Sequence, residues 1–226
     1  MSLIPPAGGP VGVRAWGSLA CFTMPEFGVE RVSYPTMTPT AAVGFLDAIY
    51  WKPEFRWRVV AIDTLKPVRH LQLRRNEITS RQTFEHATEW ANGTDEGLDT
   101  ADVRIRTQRA TLALSDVAYV IWAHAEVLPG VDESHAKFRD QLRRRVERGQ
   151  CFERPYLGCR EFVADFGPPL DDDTAIEWTQ DLGPMIHSVY AGGPDANISG
   201  VASPIFFDAK VRDGRLVVPP LPEGRR

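Results

Sequence analysis

Hydrophobic and polar positions alternate near the start of the chain, and this alternation predicts the first strand. Val11, Val13 and Ala15 share one side of residues 11–16, so the strand is half buried. A hairpin is predicted near the end of the chain, with its turn at Asp213-Gly214. Segments rich in β-forming residues predict further strands at residues 55–65, 67–78, 104–114, 117–128 and 161–166.

Two helices interrupt the strands. Thr38-Pro39 has the N-cap and first-position proline of a helix that ends before Lys52-Pro53. The second helix is capped by Asp132 or Ser134 and ends at Gly149. Its buried stripe consists of three residues spaced four apart, namely Phe138, Leu142 and Val146.

The order of these elements, β-α-β-β-α-β, predicts an α+β fold. Residues 1–166 are expected to form a ferredoxin-like domain, similar to an RNA-recognition motif, with an inserted hairpin. The polar residues 79–103 are predicted to be a flexible insert between strands. Beyond a linker at Pro168-Pro169, residues 167–226 are expected to form a small antiparallel β-subdomain. This topology hosts many functions, so it does not decide the activity.

Composition excludes several classes of protein. With 43% hydrophobic and 25% charged residues, the chain resembles an ordinary globular protein rather than a disordered, collagen-like or coiled-coil one. No apolar stretch reaches the ~18 residues of a membrane helix, and residues 1–10 do not resemble a secretory signal. The three cysteines, Cys21, Cys151 and Cys159, favour a reducing cytoplasm over a disulfide framework.

Charge is distributed unevenly along the chain. The net charge is -4, yet six basic and only two acidic residues lie between Lys137 and Arg148. A local basic face can bind phosphate despite an acidic total, because fields are screened over ~8–10 Å. The alternative is a solvated helix face. Two further basic clusters are Arg69, Arg74, Arg75 and Arg81, and Arg104, Arg106 and Arg109.

The chain lacks the common motifs of cofactor and metal chemistry. No P-loop, GxGxxG, HExxH or GxSxG pattern occurs, and the histidines lack metal-ligand spacing, so no metal and no cofactor are predicted. Aromatic residues next to basic ones remain, as in Tyr50-Trp51-Lys52. Such groups can stack bases and hold phosphates, which indicates RNA binding. Alternatively, Tyr50 and Trp51 are a helix end packed on the sheet.

Five segments carry a resemblance to a known family. In chain order they read "VERVSY", "MTPTAA", "AIYWKP", "RRNE" and "GQCFERPYLGCREF". Together they resemble the Cas5 family of CRISPR-associated proteins, in its subtype I-C branch. The resemblance covers roughly residues 11–165 and continues weakly to the hairpin at Asp213-Gly214.

This resemblance implies a function. Members join a ferredoxin-like domain to a β-rich part and belong to the subtype I-C Cascade complex. They cut precursor CRISPR RNA at the base of the repeat hairpin without metal, and they keep the 5′ handle of the product. The implied partners are precursor and mature CRISPR RNA, the backbone and large subunits of Cascade and, through the complex, target DNA. The implied location is the cytoplasm, with no membrane contact.

The resemblance also implies the site residues. The catalytic tyrosine corresponds to Tyr50 and the lysine to Lys137, whereas the adjacent histidine falls on Phe138. Phenylalanine transfers no proton, so His135 is the substitute candidate, while Phe138 also fits the buried stripe. The predicted RNA-binding residues are Trp51, Lys52, Arg74, Arg75, Asn76, Arg109, Arg144, Arg148 and Arg160.

Three functional hypotheses follow. The first is a metal-independent endoribonuclease, slowed or inactivated by Phe138. The second is a subunit that binds the 5′ handle and does not cut. The third, an unrelated α+β enzyme acting on a small molecule, lacks a matching set of polar residues.

Overall fold

The computed structural model describes residues 8–27, 30–78, 83–93, 106–190 and 203–221, which form nine strands and three helices. The strands are β1 (Val11–Ala20), β2 (Arg31–Val32), β3 (Phe55–Thr64), β4 (His70–Ile78), β5 (Arg106–Val127), β6 (Asp165–Gly167), β7 (Gln180–Tyr190), β8 (Ser203–Arg212) and β9 (Arg215–Val217). The helices are α1 (Pro39–Ile49), α2 (Phe84–Ala91) and α3 (His135–Glu147). The α+β class predicted from the sequence is confirmed.

All nine strands belong to one curled sheet. Seven follow the order β6-β1-β5-β3-β9-β8-β7, while β2 and β4 pair with β5 outside this path. Every pairing is antiparallel except the short one between β2 and β5. Helices α1 and α3 pack on the sheet and on each other, and Arg145, in the last turn of α3, donates a hydrogen bond to the Ile49 carbonyl at the end of α1.

Strand β5 corrects the prediction of two strands at 104–114 and 117–128. It is a single strand of 22 residues. Asp116, near its middle, has a φ of 53°, a conformation that aspartate tolerates better than most residues. The first half of β5 pairs with β4, and we call this pair, residues 70–78 and 106–114, the β4–β5 ribbon. The second half lies between β1 and β3.

Helices α1 and α3 confirm the predicted caps. The Thr38 hydroxyl accepts a hydrogen bond from the Ala41 N–H at 3.3 Å, and the Ser134 hydroxyl accepts one from the Lys137 N–H at 3.3 Å. The predicted stripe of α3 is buried, and Gly149 after the helix has a φ of 61°. The residues of α3 that point away from the stripe are therefore left to face solvent or RNA.

Helix α2 shows that the prediction of an irregular insert is wrong for residues 84–91. The Thr83 hydroxyl caps this helix by accepting from the His86 N–H. Asn92-Gly93, which indicated a loop, instead ends the helix, with Gly93 at a φ of 72°. The remainder of the predicted insert, residues 79–82 and 94–103, lies outside the described residues.

The strand predicted at 161–166 is displaced. Strand β6 begins at Asp165, where it pairs with β1. The preceding residues instead form a turn in which the Phe162 N–H donates to the Cys159 carbonyl at 2.9 Å. This turn follows Gly158, whose φ is 84°, so the backbone cannot continue as a regular strand.

The predicted C-terminal hairpin is confirmed. Asp213 and Gly214 have φ values of 48° and 74°, as a two-residue hairpin turn requires. Strand β9 then pairs with β3, which joins the hairpin to the sheet of the preceding residues. The Arg215 guanidinium fixes this junction with two hydrogen bonds, of 2.6 and 2.7 Å, to the buried carboxylate of Asp63. The division of the chain at residue 166 stays a prediction.

None of the helices in the described part of the chain is long and apolar enough to cross a membrane.

Candidate active site

Tyr50 lies where α1 ends and the chain turns toward β3. Its N–H donates to the Leu46 carbonyl at 2.8 Å, and its carbonyl accepts from the Trp57 indole at 2.9 Å. The residue is only 5% exposed, and its ring packs 5.5 Å from that of Phe55. These contacts hold the phenol in one place. Tyr50 is therefore a packed helix end, as one of the two interpretations predicted, and it remains a candidate functional group.

Lys137 lies in the first turn of α3, where its ammonium is exposed and pairs with the Glu133 carboxylate. That hydrogen bond raises the pKa of Lys137 above its ordinary value, and the nearby Tyr50 also contributes to the rise. Lys137 in turn enters the electrostatic environment of Tyr50. The fold therefore brings together the tyrosine and the lysine that the resemblance selected, although they belong to different helices.

Arg145 is a third residue beside Tyr50 and Lys137, and it is not among the site residues predicted from the sequence. Its guanidinium carbon lies 5.2 Å from the centre of the Tyr50 ring, and its Nη1 donates to the Ile49 carbonyl at 2.9 Å. Burial raises the pKa of the Tyr50 phenol, and the charge of Arg145 is the largest factor opposing that rise. In the sequence, Arg145 could have been found from its position eight residues after Lys137 on the same predicted helix.

Glu54 is a second residue that sequence reasoning missed. It lies four residues after Tyr50 and enters the electrostatic environments of both Tyr50 and Lys137. Its Oε2 atom is buried and has no hydrogen-bond partner among the described residues. A buried polar atom without such a partner is uncommon in folded proteins.

Phe138, which the resemblance aligns with the family histidine, is a core residue. It is 1% exposed, and its ring stacks on Phe55 at a centroid distance of 4.5 Å. Phe55 thus contacts both Tyr50 and Phe138. The aromatic cluster supports the candidate site but supplies no group for proton transfer at position 138.

His135 is engaged elsewhere. Its Nδ1 lies 2.6 Å from the Ala125 carbonyl, so this nitrogen carries the proton and donates it. At 100° per residue, His135 and Lys137 lie about 160° apart around the axis of α3. The catalytic role of His135 stays a prediction that this geometry does not favour.

The predicted RNA-binding residues near Tyr50 form one exposed surface. Trp51 is 52% exposed, and Lys52 beside it is also exposed. On α3, the residues at positions 137, 144 and 148 have a spacing that places them on one face. Arg144 and Arg148 are exposed there. We call these five residues, Trp51, Lys52, Lys137, Arg144 and Arg148, the helix-end surface.

The predicted residues on the β4–β5 ribbon are divided between its two faces. Arg74 and Asn76 are exposed on one face. Arg75 and Arg109, which are cross-strand partners, lie on the other. There Arg75 pairs with the Glu161 carboxylate, and the Arg109 Nε lies 3.3 Å from that of Glu77. Arg74 and Asn76 are thus the members available to RNA without breaking an ion pair, and Arg160 is exposed near Glu161.

Within the described ranges, no three histidine, cysteine, aspartate or glutamate side chains lie together in a cluster that could hold a metal ion. The candidate site therefore consists of a phenol, an ammonium, a guanidinium and a carboxylate, namely those of Tyr50, Lys137, Arg145 and Glu54. Cations beside a phenol can stabilise charge that develops on a phosphate oxygen.

Two solved structures have the same fold. A crystal structure of a CRISPR-associated protein superimposes with a TM-score of 0.62 at 22% identity, covering 92% of this chain and 90% of that one. A functionally uncharacterized protein from Streptococcus mutans gives a TM-score of 0.62 at 20% identity, covering 93% and 92%. The α+β fold is therefore of a class that includes a CRISPR-associated protein.

Sequence comparison narrows the class to a family. The family model of the CRISPR-associated protein Cas5, in its Cas5d form, matches residues 11–214. A relative from Mannheimia succiniciproducens is 39% identical over 93% of this chain and 95% of its own length. One from Thermus thermophilus is 39% identical over 92% and 90%. Both relatives are named CRISPR pre-crRNA endoribonuclease Cas5d. This chain belongs to the Cas5d family of CRISPR-associated proteins.

Proposed function

We propose that this protein is a pre-crRNA endoribonuclease that cuts without a divalent metal ion and keeps the 5′ handle of its product within a subtype I-C Cascade. The observation that carries the proposal is that Tyr50, at the end of α1, and Phe138, next to Lys137 on α3, both pack against the Phe55 ring, at centroid distances of 5.5 and 4.5 Å. The names of both relatives support the same activity. The partners are precursor and mature CRISPR RNA, the backbone and large subunits and, through the complex, target DNA.

The proposal extends to the fold. Strands β1, β3, β5 and β6, with α1 and α3 between them, follow the β-α-β-β-α-β order, and the neighbours in the sheet are β6-β1-β5-β3. This arrangement supports a ferredoxin-like domain in residues 1–166. The β4–β5 ribbon and α2 are then insertions in that domain, and residues 167–226 are the β-rich subdomain.

The chemistry requires three tasks, because the 2′-OH of the RNA is the nucleophile in metal-free cleavage. A base accepts the proton of the 2′-OH, a cation stabilises the extra negative charge on the phosphorane, and an acid protonates the leaving 5′-oxygen. Lys137, held protonated by Glu133, suits the second task. The product carries a 2′,3′-cyclic phosphate and a 5′-OH.

Tyr50 and Glu54 share the proton transfers in this proposal. The Tyr50 phenol orients the 2′-OH and passes its proton on to the Glu54 carboxylate, and the same proton then returns through the phenol to the leaving 5′-oxygen. Support comes from the buried, unpartnered Oε2 of Glu54 and from its electrostatic coupling to both other residues. His135 has no role in this scheme because it lies about 160° around the axis of α3 from Lys137.

The helix-end surface leads the RNA to this site. Its lysine and arginines meet phosphates, and Trp51, which is largely exposed, offers a face on which a base can stack. Arg74 and Asn76 extend the contact along the β4–β5 ribbon.

Contact with a neighbouring subunit is proposed for α2. Phe84 is 94% exposed and Trp90 is 57% exposed, which is unusual for such large apolar side chains. Deleting residues 84–100 is expected to leave the fold intact and to weaken assembly on the guide RNA. A deletion variant that assembles normally in gel filtration contradicts this role.

The test is cleavage of a repeat-hairpin RNA under single-turnover conditions in EDTA. We expect slow cutting by the wild type, since the loss of one acid or base typically costs ~10²–10⁴-fold. Lys137→Ala is expected to lose at least ~10²-fold more. Tyr50→Phe and Glu54→Gln should bind RNA normally and cut more slowly. The matched control is Lys210→Ala, which removes an exposed, ion-paired lysine on β8 and should change nothing.

The second candidate function is a non-cutting subunit that binds the 5′ handle. The observation that favours it is Phe138, buried where the family has histidine. Handle binding by the wild type, with no cleavage product from any repeat RNA tested in EDTA, would establish this function and exclude the first.

A further inference from the structure

Two buried thiols face each other away from the candidate active site. Cys21 follows the end of β1 and is 1% exposed, while Cys159 lies in the turn before β6 and is 5% exposed. Both are free cysteines. The Cys159 sulfur lies 3.8 Å from the Cys21 carbonyl oxygen, and the two side chains pack in one small cluster with Ala113 and Phe162. The proposed RNA chemistry uses neither thiol.

The backbone holds the two segments in close contact. The Cys21 N–H donates to the Leu157 carbonyl at 3.0 Å. Gly158 has a φ of 84°, and a Cβ atom at that residue would lie 2.0 Å from the Cys21 carbonyl oxygen. Only glycine therefore permits this approach, which keeps Cys159 beside Cys21.

The guanidinium of Arg31 gives the two thiols different electrostatic environments. Its Nη1 lies 3.1 Å from the Cys159 sulfur. The neighbouring Cys21 side chain, and after it the charge of Arg31, lower the pKa of Cys159, against the opposing effect of burial. The neighbouring Cys159 side chain, followed by burial, raises the pKa of Cys21. Cys159 thus supplies a thiolate nucleophile and Cys21 a protonated thiol beside it.

A cavity of about 310 Å³ reaches this pair on the Cys21 side, and Cys159 itself is not part of its lining. It is lined on one side by Cys21 and Gly158, and on the other by residues of α1 such as Thr40 and Gly44. Its volume admits a molecule as small as a peroxide while the thiols stay covered from bulk solvent.

We propose that Cys21 and Cys159 form a modification site at which hydrogen peroxide converts the two thiols into an intramolecular disulfide. The Cys159 thiolate attacks one peroxide oxygen, the O–O bond breaks, and the leaving hydroxide takes up a proton to become water. The resulting Cys159 sulfenic acid is attacked by the Cys21 sulfur. The S–S bond forms as the S–O bond breaks, and the proton of Cys21 leaves with the hydroxide as a second water.

The experiment treats the full-length protein with hydrogen peroxide, removes the oxidant with catalase and alkylates the remaining thiols in denaturant. A glutamate-specific protease cuts after Glu153 and so separates Cys151 from Cys159 for mass spectrometry. We expect a linked peptide pair containing Cys21 and Cys159, two hydrogens lighter than the separate thiols and reversed by a reductant. Cys151 should remain alkylated.

Variants identify the roles of the residues. Cys151→Ser should keep the link. Cys21→Ser should lose it and leave a Cys159 sulfenic acid that dimedone traps. Arg31→Gln should slow the oxidation of Cys159 several-fold, whereas Arg212→Gln, which removes an exposed arginine of β8, should not. Melting curves check that each variant is folded.

Three results would overturn the proposal. They are equal oxidation of all three cysteines, links only between separate molecules, and oxidation of Cys159 at the wild-type rate in a folded Arg31→Gln variant. Because the readout is covalent and needs no RNA, it is independent of whether the protein cuts RNA.

Discussion

Replacing Phe138 with histidine restores the side chain that the Cas5d resemblance places beside Lys137, and the structure predicts a cost in stability rather than a gain in cleavage. The resemblance by itself predicts faster cutting, if the missing acid limits the rate. Phe138, however, is 1% exposed and stacks on Phe55. A histidine that keeps this orientation places its ring in the core, where it cannot reach RNA.

The magnitude follows from the contacts that are lost. Burial of a phenylalanine contributes ~1.5–3 kcal/mol, and an aromatic pair adds ~0.5–1.5 kcal/mol. Imidazole recovers part of both, but a buried ring nitrogen without a partner costs ~1–3 kcal/mol. We therefore expect Phe138→His to lower the free energy of unfolding by about 3 kcal/mol. In a chain of this size, that corresponds to a Tm about 6–12 °C lower.

The pH dependence gives a second signature of burial. Burial lowers the pKa of the new histidine below its unfolded value of ~6.5. The unfolded chain then binds the proton more tightly, so the destabilisation grows as the pH falls below about 6.5. Phe138→Leu, which stays apolar, is the matched control and should lose less stability and show no such pH dependence.

The assay combines thermal unfolding at pH 8 and pH 5.5 with single-turnover cleavage of repeat RNA. We expect a lower Tm, a larger loss at pH 5.5 and no faster cutting. A Tm within ~2 °C of wild type together with ~10²-fold faster cleavage would refute the reasoning, because it would mean that the side chain at position 138 reaches the RNA.

Three further predictions concern stability and RNA binding. Burial raises the pKa of Asp47 to about 6. The folded state therefore binds this proton more tightly than the unfolded state, and stability falls as the pH rises from about 4 to 6. In urea unfolding, Asp47→Asn should gain up to ~2 kcal/mol at pH 8 and almost nothing at pH 4. Arg215→Ala leaves the buried Asp63 carboxylate without its two-point partner and should cost ~1–3 kcal/mol in the same assay, and an unchanged midpoint would contradict this. Arg74→Ala should reduce the slope of log RNA affinity against log salt concentration by ~0.7. Arg75→Ala should change this slope less, because Glu161 already neutralises Arg75. Equal slopes for the two variants would contradict the proposal that Arg74, rather than Arg75, contacts RNA.

Local signals in the sequence predicted those elements whose cause is local. The caps at Thr38 and Ser134 and the turn at Asp213-Gly214 each depend on neighbouring residues, and all three predictions are confirmed. The break predicted within β5 was wrong, because pairing along both halves of the strand keeps it continuous through Asp116. That pairing involves strands distant in sequence, so no local pattern could indicate it.

Local sequence signals predicted even less of the candidate site. Tyr50 and Lys137 were selected by resemblance, but their proximity depends on how α1 and α3 pack over Phe55, which no spacing encodes. Arg145 and Glu54 carried no motif and are recognisable only once the fold brings their charges to Tyr50. The same packing explains why Phe138 is tolerated: a side chain at that position contributes to the core whether or not it transfers a proton. Selection for a stable core can thus retain an apolar residue there, provided that neighbouring groups such as Glu54 and Tyr50 carry the proton transfers.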